Sequence, residues 1–164
     1  MSLFPSYWSH AKAFVLGTLL ALAGLGGYFW LGTSSSASES PVTVYKSPTC
    51  NCCSKWVTHM REQGFSVEVE SRVNVRPVKK QVGVPSSLAA CHTAVVDGYV
   101  VEGHVPARDV KRLLRETPKV RGLSVPGMPV GSPGMEQGGR REPYEVLAFT
   151  AAGDTSVFAR YGRR

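Results

Sequence analysis

The sequence is missing most of the short patterns that announce a familiar chemistry. It has no Gly-rich phosphate loop, so the cradle that P-loop enzymes build for a nucleotide is absent. It has no HExxH pair and no nucleophile elbow, which leaves out a helix-borne zinc protease site and an exposed hydrolase serine. No internal repeat runs through its 164 residues, and solenoids and propellers are excluded. Acidic residues are in short supply: 12 Asp plus Glu stand against 19 Lys plus Arg, a formal net charge of +7. That surplus does not mark a nucleic-acid binder, because the basic residues scatter through "RPVKK", "ARDVKRLLRE" and the tail without interleaved aromatics. They read as solvated helix faces suited to an anionic membrane or an acidic partner. Cysteine is also scarce, with four residues in all. Cys50, Cys52 and Cys53 stand too close together to staple much chain, and with Cys91 they read as local and chemical rather than architectural.

One long apolar run is present. Residues 13–32, "AFVLGTLLALAGLGGYFWLG", carry no charge over 20 residues, which at ~1.5 Å per residue is about the ~30 Å of a bilayer's hydrocarbon core. A cleaved signal peptide with a site near Ser35, Ser36 and Ala37 is one reading, but its apolar region runs only about 7 to 15 residues. The length here, with Tyr28, Phe29 and Trp30 placed like an interfacial belt, favours an uncleaved anchor that exports the remainder, with Lys12 on the cytoplasmic side. Residues 1–12 are then a flank, 33–40 a Ser-rich linker, and 41–164 the exported domain. A bacterial periplasmic location on the inner membrane is the expectation, with a soluble periplasmic product after cleavage as the alternative.

Within that domain the periodicity gives an order of elements. "VTVYK" is a strand by β-branched content and alternation. Residues 49–63 form a helix ended by Gly64, with Cys53, Trp56, Val57 and Met60 along one face. "FSVEVE" is a strand, "RPVKKQV" a short helix stopped by Gly83, and "TAVVDGYVVEGHV" a hairpin about Asp97 and Gly98. "PARDVKRLLRET" opens on Pro106 and makes an amphipathic helix. Residues 122–139 read as a Gly/Pro/Met-rich loop, and "YEVLAFT" with "TSVFARY" as a closing hairpin. The order β-α-β-α-β-β-α is that of an α/β, thioredoxin-like domain.

This order places the thiols. The first strand leads into "TCNCC" at the amino end of a helix, where free N–H groups and the positive dipole end favour thiolate. Cys50 and Cys53 make a CxxC on one helix face, and Cys52 is rotated ~100° from them. The loop around Pro85 returns Cys91 to the same end, with His92 beside it. Several uses are open. Disulfides are the default for exported cysteines, Cys53 alone could be a core residue, and zinc frameworks present two separated CxxC pairs. Clustered soft thiolates also select Cu(I), and Met128 and Met135 in the Gly/Pro loop add soft donors. Among the histidines, His10 lies in the flank, His59 lies off the cysteine face, and His92 is balanced between ligand and structural roles. His104, where a strand runs into a helix, suits a site.

"KSPTCNCCSKW", "ACHTAVVDGYVVEGHVPARDVKRLL", "GLSVPGMPVGSPGME" and "PYEVLAF" together closely resemble the CopG-like family, long catalogued as a domain of unknown function and found among bacterial copper-resistance proteins. The resemblance covers residues 42–158. It implies a thioredoxin-like fold and a copper site, with several ions per chain, at Cys50, Cys52, Cys53 and Cys91. His104, Met128 and Met135 are further candidates. It also implies periplasmic copper handling that includes Cu(I)/Cu(II) interconversion, with a redox or copper-export partner. Asn51 departs from the Gly expected between the first two cysteines, a change the left-handed tolerance of Asn would accommodate. Two other functions remain in view: a thiol–disulfide oxidoreductase with Cys50 as nucleophile and Cys53 as resolver, and a passive copper store or carrier.

The domain boundary has a direct check. A chain starting at Pro41 is expected to express as a soluble, cooperatively unfolding protein, and its recovery only as an unfolded chain while the full length folds in detergent would place the boundary elsewhere.

Overall fold

The structure is a computed structural model and describes residues 41–162. The apolar segment 13–32 and its linker lie outside the described residues, and among those described no helix is long and apolar enough to cross a membrane. Strand β1, Val42–Lys46, alternates buried and half-buried positions, as its period-two pattern requires. Helix α1, Asn51–Glu62, buries Cys53, Trp56, Val57 and Met60, and Gly64 follows it with a φ of +91° that a side chain would resist. Next come β2 (Val67–Ser71), α2 (Arg76–Val82) and a short 3-10 turn (Ser86–Leu88). The hairpin strands β3, Thr93–Val96, and β4, Tyr99–Gly103, flank the Asp97–Gly98 turn. Helix α3 spans Ala107–Glu116, with Pro106 as its amino-terminal cap.

These strands and three more form one seven-stranded sheet in the order β2-β1-β3-β4-β5-β6-β7. The pairs β1/β2 and β4/β5 are parallel, joined by connections that carry α1 and α3 respectively; every other neighbouring pair is antiparallel. Strands β6, Tyr144–Phe149, and β7, Thr155–Tyr161, are the expected closing hairpin. Strand β5, Gly122–Val125, replaces the start of the loop that composition predicts from residue 122. All four of its residues are buried, and it lies between β4 and β6 in the sheet. Four residues headed by glycine are too few to show a period, and burial of both faces removes the polar alternation that marks a strand. The Gly/Pro loop therefore begins only after Val125.

The main core joins Trp56, Val57 and Met60 of α1 with Val110 and Leu113 of α3 over the inward residues of the central strands. A smaller cluster, Leu88, Val100 and Phe149, with Val82 and Val84 against it, brings the end of α2 and the 3-10 turn onto other sheet residues. Among the described residues Trp56 is the largest fully buried side chain, and its indole Nε1–H donates to the Val105 carbonyl at 2.8 Å. That bond ties the middle of α1 to the segment between β4 and α3. Trp56→Phe keeps most of the apolar contact but leaves the Val105 carbonyl without a donor, and should cost about 1–3 kcal/mol in urea denaturation. A loss well below that range would show that the bond contributes little.

Candidate metal centre

The cysteine turn follows directly from β1. Cys50 caps α1, with its Sγ accepting the Cys53 N–H at 3.4 Å, and the first helical turn contains no acidic side chain to offset the positive end of the helix dipole. Asn51 is the first helical residue and is not among the positive-φ positions. The left-handed tolerance expected of it is therefore not used. Cys50 and Cys53 are joined in a disulfide with Cα atoms 5.4 Å apart, while Cys52 and Cys91 are free thiols. Despite its rotation on the helix, the Cys52 thiol lies 3.4 Å from Cys50 Sγ.

Cys91 arrives from the turn before β3, and its sulfur joins the other three: all four Sγ atoms lie within 4.8 Å of one another. The return of the Pro85 loop to the amino end of α1, expected from the element order, is thus what the structure has. Burial and the neighbouring Cys52 push the Cys91 thiol up to about 12, so without a metal it holds its proton at neutral pH.

A second set shares the same sulfur. Cys91, His92 and His104 bring their donor atoms within 4.8 Å of one another. His104 Nδ1 donates to the Pro133 carbonyl at 2.7 Å, which leaves Nε2 with its lone pair toward Cys91 Sγ at 3.1 Å. His92 Nδ1 lies 3.3 Å from the same sulfur, and its Nε2 is buried without a partner. The two imidazoles meet edge to face at 5.1 Å, and Trp56 packs on His92 at 4.5 Å. Burial lowers the pKa of both, His92 well below the usual value, and both are neutral and able to donate a lone pair near neutral pH. The structure therefore brings His92 beside Cys91 and His104, where its sequence context left it balanced between ligand and structural roles. His59 turns to the start of α3, where its Nε2 accepts the Ala107 N–H at 3.2 Å.

The Gly/Pro loop folds over this end of α1. At Gly134, φ is +84°, and a Cβ would stand 2.8 Å from both the Cys52 carbonyl oxygen and the Trp56 nitrogen. Met135 follows immediately and is half-buried, with its carbonyl accepting the Gly131 N–H at 3.0 Å. Met128 is 41% exposed with a φ of +50°. Met135 is thus adjacent to the contact with α1, and Met128 is presented to solvent.

Beside the Cys91 turn is a buried charged group that no sequence motif marks. Glu102, fully buried on β4, pairs with Lys79 of α2 at 2.5 Å and accepts the Thr93 hydroxyl at 2.6 Å. A single carboxylate in the otherwise apolar "YVVEG" was the available signal.

The fold and site define a small α/β protein whose sheet presents clustered thiols and imidazoles at one helix terminus. Residues 88–135 match the family model described as a protein of unknown function, DUF411. Comparison with curated proteins gives no match. Two solved structures, forms 1 and 2 of copper resistance protein CopG, are each 44% identical and superpose with TM-scores of 0.72 and 0.73. Each covers 76% of this chain, which in turn spans 98% and 100% of them. The chain belongs to the CopG family of copper resistance proteins.

The sulfur states can be counted. Unreduced full-length protein, unfolded in denaturant, should give two titratable thiols per chain and four after reduction; four before reduction would show that Cys50 and Cys53 are unbonded.

Proposed function

We propose that this domain captures Cu(I) through Cys50, Cys52, Cys53 and Cys91, with His104 and the loop methionines as further donors. It is a copper-handling protein held outside the cytoplasm by the apolar segment 13–32. The fold is read as thioredoxin-like: β1, α1 and β2, followed by α2 and the β3–β4 hairpin, reproduce that order, with the cysteines at the amino end of the first helix. The observation that carries the copper reading is the convergence of four sulfurs, from two separate segments, within reach of one another. Soft thiolates prefer Cu(I), while neutral imidazoles suit copper in either oxidation state. Membership in a family whose solved relatives are named copper resistance proteins supports the same reading.

With the Cys50–Cys53 bond formed, two of the four sulfurs are unavailable as thiolates. Reducing that bond takes two electrons and two protons and yields two thiols, which lose their protons when they bind metal. The same pair gives a route to interconversion. Oxidation of the two thiols to the disulfide releases two electrons and two protons, which matches reduction of two Cu(II) ions to two Cu(I) ions. Several ions per chain are consistent with a donor set richer than one ion requires.

A thiol–disulfide oxidoreductase is favoured by one observation, the Cys50–Cys53 bond itself. In that role Cys50 is the nucleophile, Cys53 resolves, and Cys52 is dispensable. Cys52→Ser in the full-length protein separates the two. Copper capture predicts that reduced Cys52→Ser loses about tenfold or more in Cu(I) affinity, measured by competition with a chromophoric chelator. Its reduction of a disulfide substrate is the parallel measurement. Wild-type copper affinity in this variant, with reductase activity intact, would favour the oxidoreductase.

A further inference from the structure

The buried ion pair behind Cys91 is unusual as a purely stabilising device. Lys79 is the buried residue of α2, at 7% exposure, and Glu102 is fully buried on β4. Removing two charges from water costs about as much as their attraction returns, and a well-packed apolar pair of similar volume is often as stable. The contacts of Glu102 point to what else it does. Its Oε1 accepts two donors, Lys79 Nζ at 2.5 Å and the backbone N–H of Ala90 at 2.5 Å. Its Oε2 accepts from Thr93, whose hydroxyl also accepts from Lys79 at 2.9 Å. The carboxylate thus accepts from three groups, and one of them is the backbone immediately before Cys91.

The next residue of β4 holds the other side. The Gly103 N–H donates to the His92 carbonyl at 3.0 Å, and a Cβ at Gly103 would meet Ala90 Cβ and the Val125 oxygen at 2.7 Å each. Cys91 therefore lies between two residues that consecutive positions of β4 grip by their backbones. The turn has little regular structure of its own: residues 89–92 belong to no helix or strand. The Ser124 hydroxyl of β5 holds the Leu88 carbonyl just before the turn at 2.9 Å, and within the turn the Glu102 bond ties the Ala90 N–H to β4.

We propose that Glu102 is a positioning residue for Cys91: its carboxylate, oriented by Lys79 and Thr93, clamps the Ala90 N–H and so holds the Cys91 sulfur against the cysteines of α1. The inference rests on the copper reading for its functional consequence and on the contacts alone for the clamp. The charge on Lys79 serves to orient and neutralise the carboxylate. What the site requires is an acceptor at Ala90.

Two charge-free double variants of the full-length protein isolate that acceptor. Lys79→Met/Glu102→Gln retains a side-chain oxygen for Ala90, whereas Lys79→Met/Glu102→Leu retains none, and neither leaves a lone buried charge. In reduced protein, the first should bind Cu(I) within about threefold of wild type and the second about tenfold or more weakly. In the metal-free state the Ala90 amide should exchange with deuterium faster in the Leu variant, and Cys91 should be alkylated faster, at matching unfolding midpoints. Ala90→Pro is the second route, since it deletes the N–H and leaves the ion pair; it should weaken Cu(I) binding as the Leu variant does. Equal Cu(I) affinity in the two double variants, or wild-type affinity in Ala90→Pro, overturns the proposal. If the wild-type chain takes up no Cu(I), the copper reading fails separately. The metal-free measurements still decide the clamp, and equal Cys91 alkylation rates in the two double variants overturn it.

Discussion

The donor cluster depends on one constraint: the turn carrying Cys91 must be held against the amino end of α1. The sequence between them is long, and loop-closure entropy opposes the meeting unless the sheet enforces it. Strands β1 and β3 are neighbours in the sheet, pairing Thr43 to Val95 and Tyr45 to Thr93. The chain leaving β1 toward Cys50 and the chain entering β3 from Cys91 are therefore at the same end of the antiparallel pair. Register alone brings the two backbones close, and the contacts of Glu102 and Gly103 then fix the turn. The loop over Gly134 adds a third side, because its backbone lies directly on the Cys52 carbonyl. It also carries Pro133, whose carbonyl sets the tautomer of His104.

Local electrostatics favour neutral nitrogen donors and a sulfur that ionises on metal binding. Burial holds both imidazoles of the site below their ordinary range, and Glu136 and the Pro133 carbonyl only partly offset this at His104. At His92 the neighbouring His104, Lys79 and Lys46 add to the effect of burial. A cationic metal bound there gains the lone pairs without displacing protons from nitrogen. The thiols differ: each proton lost from sulfur is charge that the metal must replace.

Much of this was legible from residue order. The alternation in "VTVYK" coincides with β1 end to end, and the apolar stripe of α1 and the Asp97–Gly98 hairpin signal match the elements observed with ends shifted by one or two residues. Cys91 was placed correctly because topology, rather than local pattern, determines its position. Three features were not readable. Strand β5 is short and covered on both faces, so it has no periodic signature. His92 precedes a strand by one residue, and its orientation depends on Trp56 and His104, which are distant in sequence. The Glu102 network involves α2, β3 and β4 together, and no local window contains all three. The Cys50–Cys53 bond was one of several open pairings, which spacing alone did not decide.

The proximity of Cys52 to a bonded neighbour has a consequence for how the oxidised protein is described. A thiolate at Cys52, 3.4 Å from Cys50 Sγ, is placed to attack that sulfur and release Cys53, with no outside thiol involved. Such an attack would convert the Cys50–Cys53 disulfide into its Cys50–Cys52 isomer, moving one sulfur–sulfur bond and no net electrons. Both disulfides lie two electrons above the same tetrathiol, so a reductant able to reach only one of them would still reduce the domain fully.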